Sequence, residues 1–135
     1  MVRKKRRVRS EKARAKARAW RACSIYIRTK ASKDGHCQCV TCKEWNPIKR
    51  TDAGHFISKS RGNAIYFEEE NINPQCARCN RFHEGNKHMY TLYMIDTYGI
   101  EKVHELEALA RTRVLFRLND YLEIEAEYKR LLEEL

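Results

Sequence analysis

The stretch Asn71-Ile-Asn-Pro-Gln-Cys76-Ala-Arg-Cys79-Asn80, preceded far upstream by Cys39-Val-Thr-Cys42, decides how this sequence is read. A Cys-x-x-Cys turn presents two thiolates to one ion, and two such turns close the tetrahedral four-sulfur site that zinc favours. Cys39, Cys42, Cys76 and Cys79 are therefore expected to hold a structural Zn2+. A closed site leaves no open coordination position, so any chemistry must use other residues and another ion. Cys37 would form a poorer chelate with Cys39 and is read, with Cys23, as a spare thiol. Disulfides are the alternative for six cysteines in a short chain, but without a secretion signal the paired spacing favours metal.

The loop closed by the two turns contains Asp52-Ala-Gly-His55 and Asn71, and Asn80 follows Cys79 directly. Hydrolysis of a phosphodiester needs a base for water and a hard divalent cation held by oxygen ligands. His55, whose free pKa lies near neutrality, suits the base. Asp52 and Asn80 offer oxygens to Mg2+ or Mn2+, and Gly54 is expected to let the backbone turn tightly beside the base. Each residue has an ordinary structural alternative: a turn Asp, a packed His, a helix-capping Asn. Their joint placement around one zinc frame favours the functional reading.

Working outward, thirteen of the first thirty residues are Lys or Arg against the single acid Glu11, while the whole chain carries +10. Such an arm is an electrostatic footprint for nucleic acid, because Lys and Arg release the counterions condensed on a phosphate backbone. Arg3, Lys4, Lys5, Arg6, Arg7, Arg9, Lys12, Arg14, Lys16, Arg18 and Arg21 are the expected DNA contacts. Residues 1–9 have nothing to bury and are expected to be disordered until DNA is met. Ser10 can cap a helix running to about Thr29, with Trp20, Cys23 and Ile27 on one face and Arg14, Arg18 and Arg21 on another.

The division expected is a basic arm at 1–9, a basic helix at 10–31, a zinc-stabilised core at 32–99 and a helical segment at 100–135. Within the core, His55-Phe56-Ile57 and Ala64-Ile65-Tyr66-Phe67 read as short strands. A helix is expected to begin after Cys79 and run to Gly99, followed by helices near 100–112 and 117–134. In the last helix Tyr121, Ile124, Tyr128, Leu131 and Leu135 recur at steps of three and four, a stripe that either packs on the domain or forms a homodimer seam. The fold class is mainly α around a small zinc-stabilised core. At 135 residues the chain suits one domain. It lacks an apolar run long enough for a membrane span and a signal peptide, so a cytosolic location is expected.

These strings carry a resemblance. Cys-x-x-Cys, then Asp52 to His55, then residues 71–80, is similar to the HNH, or ββα-metal, nuclease motif in the zinc-stabilised form of phage endonuclease VII. The stretches DAGHFIS, FEEENINPQCARCNRFHEGN and YGIEKVHELEA further resemble the phage recombination NinG (Rap) family over roughly residues 17–135. The resemblance implies a ββα-metal core and a structure-specific endonuclease acting on Holliday junctions and D-loops in the host cytoplasm, leaving 5′-phosphate and 3′-hydroxyl ends. It makes His55 the general base and Asp52 and Asn80 the catalytic-ion ligands. Asn71, with Asn73 as rival, would fix a backbone contact that orients the base. His83, where endonuclease VII has an acidic residue, could reach the metal or a phosphate. The chain departs from longer members in lacking an N-terminal cysteine-bearing segment and in carrying Cys37. A symmetric resolvase implies a homodimer. The competing expectation is a non-catalytic zinc module that binds DNA and recruits recombination factors, which leaves Asp52, His55 and Asn80 without a common purpose.

Overall fold

The computed structural model describes residues 2–3 and 9–135 and is mostly helical. Lys4, Lys5, Arg6 and Arg7, with most of the basic arm, lie outside the described residues. Helix α1 spans Glu11–Ala31. Its first turn is capped by Ser10, whose side-chain oxygen accepts the Ala13 N–H at 3.1 Å, satisfying one of the donors every helix start leaves open. Ala15, Ala19, Ala22, Cys23, Tyr26 and Ile27 form its buried face. The alanines allow close approach of a second helix, and that helix is α5, Leu118–Glu133.

Two antiparallel ribbons lie beneath α1. Strands β1, His36–Gln38, and β2, Trp45–Pro47, form the first, and its tip carries Cys39 and Cys42. Lys43 takes a positive φ of 68° to close that tip, with its N–H donating to the Cys39 carbonyl at 2.9 Å. Strands β3, Thr51–His55, and β4, Ile72–Cys76, form the second, pairing Asp52 with Gln75 and His55 with Ile72. Pro74 interrupts the donors of β4, as an edge strand tolerates. Its carbonyl accepts the Val40 N–H at 3.0 Å and so joins the two ribbons.

The second ribbon separates two apolar clusters. Ala53 and Ile72 pack with α1, α5 and Phe67. Phe56, Ile57, Val40 and Ile65, the last from the short helix α2 (Asn63–Tyr66), pack with Tyr90 and Met94 of α3 (Lys87–Tyr98) and Val103 and Leu106 of α4 (Ile100–Ala110). Gly99, at φ 89°, separates α3 from α4 in a conformation that favours glycine. Among the described residues no helix is long and apolar enough to cross a membrane.

Three local expectations need correction, and one open alternative takes a side. Ala64–Phe67 is not a strand: Asn63–Tyr66 turns as a single helical unit and buries only Ile65. The helix expected from Cys79 to Gly99 is two pieces, a π-helical turn at Arg78–Phe82 and then α3. Glu84, Gly85 and Asn86, all at positive φ, reverse the chain between them. Gly54 makes no tight turn but lies in β3, where a Cβ would fall 2.0 Å from the Gln75 side-chain oxygen. Glycine there leaves room for a side chain crossing the strand. The stripe of α5 faces α1 within the chain: Tyr121 and Tyr128 are buried, Ile124 and Leu131 are partly covered, and the Tyr128 hydroxyl donates to the Phe67 carbonyl. Little of that face remains for a dimer seam.

Candidate functional site

The four sulfurs expected to bind zinc come together. Those of Cys39, Cys42, Cys76 and Cys79 all lie within 4.8 Å of one another, and Cys42 and Cys76 approach to 3.7 Å. Tetrahedral zinc with Zn–S bonds of about 2.3 Å sets its sulfurs roughly 3.8 Å apart, whereas a disulfide needs about 2.05 Å. The donor set fits a metal, and all six cysteines are free thiols. The backbone is arranged for anionic sulfur: the Cys42 N–H points at Cys39 Sγ and the Cys79 N–H at Cys76 Sγ, both at 3.5 Å. Burial pushes the Cys39 thiol up, but the Cys42 N–H and Thr41 hydroxyl outweigh it and bring the pKa to about 6. Burial raises the Cys76 thiol, and a bound cation of charge two would stabilise its thiolate form. Cys37 stands apart, its Sγ donating to the Arg28 carbonyl at 3.2 Å, and Cys23 is buried under α5 with its thiol raised to about 12 by burial.

Beside this frame a cleft of about 770 Å³ opens between α1, β3 and the turn after β4. Asp52, His55, Asn80, Arg81, Trp20 and Lys59 all line it. The Asp52 carboxylate accepts from Asn80 Nδ2 at 3.0 Å and from Arg81 at 2.9 Å on each oxygen. Its side chain is 17% exposed. A carboxylate so placed suits a hard cation, and the guanidinium already sits on it as a cationic stand-in.

His55 ends β3. Its Nε2 lies 2.8 Å from the Tyr66 carbonyl, an acceptor, so Nε2 carries the proton and Nδ1 keeps a lone pair. Trp20 of α1 stacks on the ring with centroids 4.9 Å apart and planes 23° from parallel, and Tyr66 meets its edge. Burial under these rings lowers the His55 pKa to about 4. The Tyr66 carbonyl opposes that fall, and the positive charges of Lys59 and Lys87 add to it. At neutral pH the imidazole is therefore uncharged, with the Nδ1 lone pair open to accept a proton.

Asn71 is wholly buried. Its Oδ1 accepts the Ile57 N–H at 2.9 Å and its Nδ2 donates to the Ile57 carbonyl at 3.0 Å, while its own carbonyl accepts the Phe56 N–H at 2.8 Å. These bonds fix the chain leaving His55. Asn73 instead points into the second cluster, donating to the Tyr90 hydroxyl. His83 ends the π-helical turn, is exposed, and is not among the residues lining the cleft; Glu84 and Lys87 are.

Of the cations expected on DNA, Arg3, Arg9, Lys12 and Arg21 are exposed. Arg14 donates to the Arg9 carbonyl, Arg18 pairs with Glu125 of α5 at 3.5 Å, and Lys16 lies 4.6 Å from the Tyr66 ring centroid. Sequence reasoning missed a second basic set, Lys49, Lys59, Arg81 and Lys87, lining the cleft itself. It also missed Trp20 as part of the site. Lys59 and Lys87 flank the decisive motifs, but nothing in their local pattern distinguishes them from solvated surface lysines.

Known proteins resemble the chain over most of its length. The family model described as Bacteriophage Lambda NinG protein matches residues 1–135. The protein ninG of Salmonella phage P22 and that of Escherichia phage lambda are each 30% identical over 117 residues, covering 87% of this chain and 55% of theirs. The counterpart in Escherichia phage 933W is 29% identical over the same length. The chain thus spans about half the length of the curated relatives it matches. No solved structure matches.

Two outcomes follow from the geometry. Metal analysis of purified protein should find one zinc per chain, retained in Cys37→Ser and lost in Cys76→Ser together with the cooperative unfolding transition; zinc loss in Cys37→Ser would contradict the ligand set. Protonation should also act through His55. With a folded pKa of about 4 below the unfolded value near 6.5, the unfolded chain binds more protons between these values. Stability is therefore present above about pH 6.5 and is lost as pH falls toward 4. Urea midpoints at pH 7 and pH 5 should drop less in His55→Gln than in the parent, and an equal drop would place the pH sensitivity elsewhere.

Proposed function

The chain belongs to the bacteriophage lambda NinG family, and from that membership and the geometry of its site we propose that it is a metal-dependent DNA endonuclease of the HNH kind, cutting branched recombination intermediates. The observation that carries this reading is the single cleft in which a neutral, carbonyl-anchored His55 stands beside a largely buried carboxylate, Asp52, with Asn80 bonded to it. Strand β3, strand β4 and the turn holding Asn80 follow the order strand, strand, helix that a ββα-metal core requires.

The chain's own residues divide the work. His55 Nδ1 takes the proton of the attacking water, and Nε2–H donates to the Tyr66 carbonyl throughout, so the imidazolium formed is held by the same bond. Asn71 fixes the backbone that carries the ring. Trp20 and Tyr66 exclude water from its faces and keep it unprotonated at neutral pH. Asp52 and Asn80 would hold a Mg2+ or Mn2+ ion, which when bound supplies charge stabilisation to the phosphate and the leaving oxygen. Lys49, Lys59 and Lys87 draw the DNA backbone into the cleft. The cysteine cluster, holding Zn2+, takes no part in the reaction and fixes the ends of the strands that do.

Branched DNA is proposed as the substrate on the resemblance to the recombination-associated NinG family. Resolution of a four-way junction needs two cuts related by symmetry, so the working unit is a homodimer. With α5 engaged on α1, the apolar face left for a second copy is that of α3, where Met89, Leu92 and Ile95 are exposed.

Purified zinc-loaded protein should nick a synthetic four-way junction in the presence of magnesium, faster than a linear duplex of the same sequence. His55→Ala should bind the junction equally well and cut about 10²- to 10⁴-fold more slowly. Equal cutting by the variant would remove His55 as the base. Binding without cutting by the parent would make the protein a zinc module that recruits recombination factors.

A further inference from the structure

Arg81 has no place in the chemistry described above, yet its contact with Asp52 is the best-formed ion pair in the cleft. Nε meets Oδ2 and Nη2 meets Oδ1, both at 2.9 Å, a two-pronged match of guanidinium to carboxylate. Asn80 Nδ2 completes the set at 3.0 Å from Oδ2. Both carboxylate oxygens are thereby taken. The two partners differ in their surroundings: the Asp52 side chain is 17% exposed and that of Arg81 65%. The guanidinium covers the carboxylate from the solvent side, and solvent is also where DNA arrives.

A divalent ion on Asp52 would bring two positive charges to the position where Arg81 brings one. Both draw on the same carboxylate, and the like charges repel at short range. Arg81 must then leave, and its next partner is decided by its neighbours. Lys49, Lys59 and Lys87 line the same cleft, and Arg50 and Arg78 line the groove adjoining it. Glu44, the acid of that groove, is engaged by Arg78 at 3.4 Å. A freed guanidinium meets these cations and one remaining carboxylate of the cleft, Glu84, and the forked donors of arginine match an incoming phosphate as well as a carboxylate.

We propose that Arg81 is an exchangeable cation: it closes Asp52 in the free protein and passes to a DNA phosphate when a divalent ion takes the carboxylate. Metal occupancy and grip on DNA are then coupled, each favouring the other, as reciprocity requires. The inference rests on the reading of Asp52 as a ligand of the catalytic ion. Arg81 is neither that ion's ligand nor the base.

The test uses zinc-loaded His55→Ala protein, which binds without cutting, with and without Arg81→Gln. Calorimetric titration with Mn2+ in the absence of DNA should show binding about 2- to 5-fold tighter in the Arg81→Gln protein, because a competing exposed ion pair has been removed. Junction binding measured against salt should lose about one unit of slope in log K against log salt, and only when Mn2+ is present. Arg81→Lys, which keeps the charge, should restore most of that slope. Unchanged Mn2+ affinity, or a slope lost equally with and without Mn2+, would overturn the exchange and leave an ordinary surface ion pair or phosphate contact. If neither protein takes up Mn2+ beyond the zinc cluster, the assignment of Asp52 fails first and the exchange with it. If Mn2+ binds but these differences are missing, the exchange alone fails.

Discussion

The oxygen donors of the cleft depend on four cysteine sulfurs that lie within 4.8 Å of one another, a set that fits one metal ion. Two-stranded ribbons are marginal on their own in water, and this chain has two of them, each short. The cysteine cluster ties the tip of the β1–β2 ribbon to the end of β4 and to the π-helical turn. Asp52 pairs in register one position from the Thr51–Cys76 pair, and Asn80 follows Cys79 in sequence. Each oxygen donor is thus at most one residue from a point fixed by the cluster. Burial raises the Cys76 thiol while N–H and hydroxyl donors lower that of Cys39, so a divalent ion would stabilise the thiolate form of the cluster.

His55 depends on a different support. It lies at the far end of β3 and is held by the Tyr66 carbonyl, the Asn71 clamp and the ring of Trp20. Trp20 belongs to α1, so the helix that continues the basic arm also closes one face of the base. The apolar environment that lowers the imidazole's affinity for protons is built by α1, while the cations that attract DNA surround it. Binding and the uncharged state of His55 thereby share one element, and α5, packed on the alanine face of α1, holds that element in place.

What was legible in the sequence was what repeats or caps. Ser10, the alanine face and Gly99 mark helix ends and faces by local rules, and the two Cys-x-x-Cys turns announce their cluster through spacing alone. Strand β4 was hidden because Pro74 argues against a strand and because its burial is complete on both faces, which leaves no alternation to read. Ala64–Phe67 has strand-like composition, but its setting makes it a turn of helix. The stripe on α5 was plain, while its partner was not, since a helix pattern names a buried face and never what buries it. The Trp20–His55 stack and the Arg81–Asp52 pair join residues 35 and 29 positions apart, and no local signal marks either.

The central claim is a division of labour: the cysteines hold the frame, and a second ion on Asp52 and Asn80, beside His55, serves the chemistry. The most direct measurement is the anomalous diffraction of a crystal of zinc-loaded protein soaked in manganese, recorded on both sides of the zinc edge. The account predicts zinc among Cys39, Cys42, Cys76 and Cys79, and a separate manganese peak on the oxygens of Asp52 and Asn80 with the Arg81 guanidinium displaced. Manganese absent from Asp52, with Arg81 still seated on both carboxylate oxygens at saturating metal, would contradict it.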